Sequence, residues 1–219
     1  MTWRAHRGRQ HVAANPDFER FLDCKIVRLI FEFAVALSPD DFFRPDPSFF
    51  HLKWLNVTMS AVEICHLYIS PAHNFVGHHG REPDTHPVIE VPTIKCVAGR
   101  GICGDRYFDF KDNYKGQITF FSLEVFDELC GALQIQDCSP SLVRRNVITR
   151  AVDLNELIGQ DFEIQGVCFH GTQECSPCYW LDRAVAPGAE RFLKGRGGLR
   201  ARILTDGTLR SMARIPEAV

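Results

Sequence analysis

At 219 residues the chain has room for one sizeable core and a small extra lobe. Hydrophobic residues make up 45% and charged residues 24% of it, as in ordinary globular proteins, and the formal net charge of -2 excludes a generic nucleic-acid binder, which carries a strong basic excess. The opening segment Met1 to Gln10 is polar and basic, and the longest apolar run, Ile26 to Leu37, is broken by Arg28 and Glu32. No export signal and no membrane span is therefore expected, and the nine cysteines are expected as reduced thiols in a cytoplasmic protein.

Residues 1–56 read as an N-terminal extension: a polar tail, an amphipathic helix over Asp17 to Leu37, and a Pro- and Asp-rich linker. Phe18, Phe21, Leu22, Ile26, Leu29, Ile30 and Phe33 recur at helical spacing. Whether this extension is native to the domain is open, since a misassigned start codon would produce the same pattern. The main domain is expected over residues 57–219. Val62 to Ile69 predicts a strand, ended by Ser70-Pro71. A polar loop with His73, His78 and His79 follows. As metal ligands the adjacent His78 and His79 point apart, so a ligand-contacting loop or a plain polar loop is the simpler reading.

Val88 to Val91 and Thr93 to Val97 predict strands. Gly99 to Gly104 spells G-x-G-x-x-G, but Asp105 to Phe110 behind it alternates like a strand, so a dinucleotide site is rejected. Gln117 to Phe121 is a strand, and Ser122 caps a helix to Leu133 with Phe121 and Phe126 as a hydrophobic staple. Leu123, Phe126, Leu129 and Cys130 mark its buried face. Ser139-Pro140 opens a helical turn, Asp153 to Gly159 reads as a short helix, and Asp161 to His170 as one strand. A helix begins after Pro187. Ala201 to Met212 reads as a hairpin around Asp206-Gly207. Many short strands and few short helices give an α+β, mainly β class with a barrel-like domain.

The chemistry concentrates at Glu174-Cys175-Ser176-Pro177-Cys178. Cys175-x-x-Cys178 is half of a zinc site, a redox pair, or one reactive thiol with a neighbour that carries a persulfide or ligates a soft metal. The bland alternative is two thiols used as small hydrophobes. Arg144, Arg145, Arg196 and Arg200 flank this stretch and suit a phosphate through their planar forks. Gly195, Gly197 and Gly198 would let backbone N–H groups approach an anion. The bland alternative for each arginine is a solvated or carboxylate-paired cation.

From about Val62 to Met212 these pieces, in this order, resemble the MOSC domain family, named for the C-terminal domain of molybdenum cofactor sulfurase, and most of all its small stand-alone bacterial members. The matching pieces are Ile69-Ser70-Pro71, Gly99 to Tyr107, Arg144-Arg145-Asn146-Val147, Asp153 to Gly159, Glu174 to Cys178 and the glycines before the last strands. The resemblance implies a β-barrel-containing fold and a cysteine that ligates molybdenum or transfers sulfur. Cys178 matches that cysteine best, and Cys175 is a companion seen in one subgroup. It also implies the molybdenum cofactor, a pterin dithiolene with a terminal phosphate, with Arg144, Arg145, Asn146, Arg196, Arg200, His78, His79 and Asp105 as its expected contacts. Some relatives reduce N-hydroxylated bases and amines; others are thought to carry sulfur. Three readings follow: a molybdenum-dependent reductase acting on a small-molecule substrate with an external electron-transfer partner, a persulfide or cofactor carrier fed by a sulfur donor, and a zinc- or thiol-stabilised interaction domain. Pyridoxal phosphate attaches to the family only by association, since the desulfurase domain that uses it has no counterpart here.

Overall fold

The computed structural model describes residues 62–75 and 80–212. The expected N-terminal helix and linker, and the boundary at residue 57, lie outside the described residues. In chain order the elements are β1 (Glu63–Ile69), β2 (Ile89–Glu90), β3 (Thr93–Val97), β4 (Gly101–Ile102), β5 (Ile118–Ser122), α1 (Leu123–Ala132), a 3-10 turn (Pro140–Val143), β6 (Val147–Arg150), β7 (Asp161–Ile164), β8 (Val167–Glu174), α2 (Trp180–Ala184), α3 (Ala189–Phe192), β9 (Leu199–Ile203) and β10 (Gly207–Arg210). The mainly β expectation is met. Among the described residues the strands form a seven-stranded sheet, β2-β1-β6-β5-β9-β8-β7, and a three-stranded sheet, β10-β3-β4. The expected barrel is not closed by hydrogen bonds, because the edges β2 and β7 do not pair with each other.

Strand β5 is central because both of its faces are buried. Ile118 and Phe120 point into a core shared by the two sheets, with Ile94, Cys96 and Leu209 from the smaller one. There Phe120, Phe162 and Phe169 pack with ring centroids 5.4 to 5.7 Å apart, an aromatic trio that the alternating patterns of β5, β7 and β8 aim at one place. Phe121 points the other way, into a second core with Phe126 and Leu129 of α1. The cap of α1 is as expected: Ser122 Oγ accepts from Val125 N at 3.1 Å, and Phe121 and Phe126 share a core across the helix start.

Four expectations change. Residues 161–174 are a hairpin, not one strand: Gln165 (φ 52°) and Gly166 (φ 79°) turn the chain with the two positive φ values of a type I′ turn. Asp105 to Phe110 is a series of turns, with Asp105 N bonded to Ile102 O and Phe108 N to Asp105 O. Asp153 to Gly159 is a turn instead of a helix; Ile158 bridges Gly171 and Gly159 N donates to Gly171 O, which ties the segment to β8. Finally, Asp206-Gly207 does not close a β9–β10 hairpin. Strand β10 pairs with β3 in the other sheet, and Asp206 accepts from Ala98 N at 2.8 Å. Gly207 is there for closeness, since a Cβ on it would lie 2.5 Å from Val167 Cγ2. The free edge of β10 is met by a side chain: Gln165 donates to Arg210 O at 2.9 Å and accepts from Arg210 N at 2.8 Å.

Gly171 is the tightest of these joints, because a Cβ would meet Leu157 O at 1.9 Å. Gly171→Ala is therefore expected to cost more than about 3 kcal/mol, against about 1 kcal/mol for Gly166→Ala, where only the positive φ is strained. Urea denaturation of the two variants measures the difference; equal costs would contradict it.

Candidate functional site

A cleft of about 230 Å³ lies beside the large sheet's strand β9. Its lining comes from five parts of the chain: His73 and Phe75, Arg106 and Tyr107, Leu142 to Arg145, Cys175 to Cys178 with Trp180, and Arg200 on β9. Behind the lining sits a buried polar hub. Asp105, 6% exposed, accepts from Ser70 N at 3.1 Å, Tyr107 N at 3.2 Å and Asn146 Nδ2 at 3.1 Å. Asn146, 2% exposed, also donates to Tyr68 O, and its Oδ1 accepts from Thr119 N and Thr119 Oγ1. Neither residue lines the cleft. Their side chains join the loops that do.

Besides Arg145, three guanidinium groups line this space. Arg144 ends the 3-10 turn in a left-handed conformation (φ 54°), donates from Nη2 to Ser70 Oγ and Ala72 O, and lies over the Phe75 ring at 5.3 Å. Burial, then the neighbouring Arg106 cation, push its pKa down to about 10. Arg106 makes only long bonds, 3.4 Å to Asp105 Oδ2 and 3.4 Å to Arg144 O. Arg200 bonds the Cys175 sulfur, while its Nε is buried without an acceptor. Burial works against the Arg200 charge, but Cys175 and then Tyr114 outweigh it and lift the pKa above the ordinary value. Among the described residues, the one carboxylate bonded to any of these three groups is Asp105, already shared among three other donors. The cleft is left with excess positive charge. Burial first, then Arg106 and Arg144, also lower the pKa of His73, whose ring stands edge-on to Tyr107 at 4.9 Å.

The two thiols differ. Both line the cleft, but Cys178 is exposed and Cys175 is only 4% exposed. Strand β8 delivers Cys175, whose N–H donates to Gly198 O at 2.7 Å. Arg145 then fixes the segment from behind. Its Nη2 donates to Cys175 O and Gly197 O, Nε to Gly197 O, and Nη1 to Val143 O. The Arg145 fork is thus spent on carbonyls, which places it as a clamp under the cysteine segment. Downstream, Leu181 N bonds Cys178 O as α2 begins, and Trp180 packs on Phe75 at 5.2 Å.

Besides Asp105 and Asn146, one further described residue among the expected contacts, Arg196, does not line the cleft. Arg196 pairs with Glu128 at 2.7 Å and lies on the Phe192 ring at 4.2 Å, beside a different cavity lined by Glu124, Asp153 and Asn155. The glycines near it serve packing. A Cβ on Gly197 would lie 2.6 Å from Cys175 O and one on Gly198 2.2 Å from Phe120 O, so this segment is pressed between β5 and the cysteines, and Gly197 N donates to Glu174 Oε1. His78 and His79 lie outside the described residues. His73, in the loop expected to contact a ligand, does line the cleft, whereas Arg106, Tyr107, Phe75 and Trp180 are cleft residues that the sequence does not single out. Arg106 stands inside the Gly-Asp-Arg-Tyr motif, whose alternation reads as a strand. No group of three or more His, Cys, Asp or Glu side chains positioned to hold a metal occurs among the described residues.

The MOSC domain matches residues 95–214, more than half of the chain. This chain belongs to the MOSC domain family. Solved structures agree on the fold. The YuaD protein from Bacillus subtilis is 18% identical with a TM-score of 0.55, over 68% of this chain and 91% of that one. YiiM from Geobacillus stearothermophilus is 13% identical with a TM-score of 0.50, over 68% of this chain and 71% of that one. No curated protein matches the chain. No helix among the described residues is long and apolar enough to cross a membrane. The MOSC family is associated with the molybdenum cofactor.

The lowered pKa of His73 has a consequence for stability. Unfolded, a histidine titrates near 6.5. Folded His73 titrates below that, so between the two values the unfolded chain binds more protons and stability falls as pH drops below about 6.5. His73→Gln should flatten that part of a stability–pH series. Inorganic phosphate, by neutralising Arg106 and Arg144, should raise the His73 pKa in an NMR titration; no movement would show that no anion reaches those arginines.

Proposed function

We propose that this MOSC protein binds the molybdenum cofactor in the arginine-floored cleft, that Cys178 is the thiolate ligand of molybdenum, and that it reduces N-hydroxylated small molecules with electrons from an external reductase. The observation that carries this reading is an exposed thiol at the edge of a cleft holding three guanidinium groups and one already shared carboxylate. The residues suit the group. Arg106, Arg144 and Arg200 would hold the terminal phosphate, and the buried Arg200 Nε lacks a protein acceptor that an anion would supply. A soft thiolate suits molybdenum. When bound, the cofactor would supply the two-electron, oxygen-accepting chemistry that reduction of an N–OH bond requires.

The chain's own residues have distinct tasks in this proposal. The overall balance is R–NHOH plus two electrons and two protons giving R–NH2 and water. His73, whose pKa is lowered by burial and by Arg106 and Arg144, is placed in the cleft to take a proton from solvent at a ring nitrogen and release it readily to the substrate. Phe75 and Trp180 form an apolar wall that limits water at the thiol. Asp105, Asn146 and Arg145 act through other groups: they hold the loops that carry Ser70, Arg106, Arg144 and Cys175. A second reading, favoured by Cys175 lining the same cleft, makes the protein a carrier in which Cys178 holds a persulfide. We place the protein in the cytoplasm, where a reducing environment keeps thiols reduced, and take residues 57–219 as the MOSC domain.

Protein purified from a host that makes the cofactor should contain near-stoichiometric molybdenum with oxidised-pterin fluorescence. Cys178→Ala should lose the molybdenum, and Arg144→Gln or Arg200→Gln should weaken pterin retention by about tenfold each. Turnover of an N-hydroxylated base by the loaded protein separates the reductase from the carrier. Zinc without pterin would overturn both.

A further inference from the structure

Six described cysteines stand outside the cleft, and two of them meet. Cys130 lies in the last turn of α1, next to buried Leu129. Beyond the helix the chain doubles back. Leu133 N bonds Leu129 O, Ile135 N bonds Cys130 O at 2.9 Å, and Gln134 and Asp137 both take φ 54°. This reversal sets Cys138 on the same core that Cys130 packs against, close enough for each thiol to act on the other's charge. Both are half-buried, within reach of a small reagent.

We propose that Cys130 and Cys138 form an oxidisable dithiol, a modification site outside the cleft, which closes to an intramolecular disulfide by exchange with a low-molecular-weight disulfide. The chemistry balances with that co-reactant alone. One thiolate attacks oxidised glutathione, giving a mixed disulfide and one glutathione thiolate. The second thiolate then displaces the other glutathione and forms the Cys130–Cys138 bond. The protein loses two electrons and two protons; the co-reactant gains them as two thiols. The shared core and the chain reversal keep the two thiols as near neighbours, so closure asks for local movement only. Burial, then contact with Cys138, push the Cys130 thiol up to about 11, so closure is slow at neutral pH and speeds up in alkali. The bridge would tie α1 to the segment that leads through the 3-10 turn to Leu142, Val143 and Arg144 in the cleft. The proposal does not rest on the cofactor reading.

The sequence makes the test direct. No Lys or Arg lies between Gly116 and Val143, so trypsin releases Gly116–Arg144, whose only cysteines are Cys130 and Cys138. The native full-length chain is incubated with oxidised glutathione at about pH 8, blocked with N-ethylmaleimide and digested without reduction. The expected result is a Gly116–Arg144 peptide without alkyl groups and two hydrogens lighter than the dithiol. In Cys138→Ser protein the same peptide should carry one alkyl or one glutathione group. The bridged protein should melt higher than the reduced one, by about 5 °C. A doubly alkylated peptide from a sample in which Cys178 has become glutathionylated would overturn the proposal. A Cys138 joined to another peptide, or a lower melting temperature on bridging, would overturn it equally.

Discussion

A buried carboxylate is costly unless its lone pairs are satisfied, and Asp105 meets that condition by drawing three separate loops together. It takes a hydrogen bond from Ser70 at the end of β1, from Tyr107 in the turn that follows β4, and from Asn146 before β6. Asn146 extends the network to β5 through Thr119. Removing one member strands the others in an apolar setting, so the network is held as a unit. The cleft is a by-product of that demand. Arg106 and Arg144 are adjacent in space because Asp105, one residue from the first, and Asn146, two residues from the second, are bonded to each other. Two cations that repel are held close by the polar pair behind them.

The arginines illustrate how one residue type is divided among tasks. Arg145 has its donors directed at carbonyls of three segments, a use that needs the rigid fork and that a lysine would not reproduce. Arg196 has a carboxylate and an aromatic face. Arg106, Arg144 and Arg200 are the ones left with weak or missing partners. A chain that buries cations this poorly matched gives up stability at the site, a cost that the proposed anion would offset.

Much of the fold was legible from the residues. Short runs of β-branched and aromatic residues predicted β1, β3 and β5, and Ser122 with its phenylalanine staple predicted α1. The failures have physical causes. Asp206-Gly207 looks like a hairpin turn locally, but the glycine answers to Val167, a distant residue, and the strands on either side enter different sheets. Gln165-Gly166 lacks the usual Asn or Asp before the glycine, so the β7–β8 turn was invisible. Asp105 to Phe110 alternates in polarity, yet Asp105 binds backbone N–H groups across and within the turn and bends the chain. At the site, the cysteines, Arg144 and Arg200 could be read from motif and spacing. Arg145 and Asn146 could be placed near the site but not given their roles, because whether a side chain points into a cleft or into the joint behind it depends on partners up to 78 residues away, the separation of Asn146 from Tyr68.

The side chain of Gln165 satisfies both ladder groups of Arg210 on the outer strand of the small sheet. A primary amide has the same donor and acceptor arrangement as a peptide unit, so Gln165 stands in for one residue of a strand that is not there. Exposed strand edges are templates for adding foreign strands. Here the template is already occupied at one rung by the chain itself, and a second copy seeking to extend the sheet would first have to displace a tethered competitor.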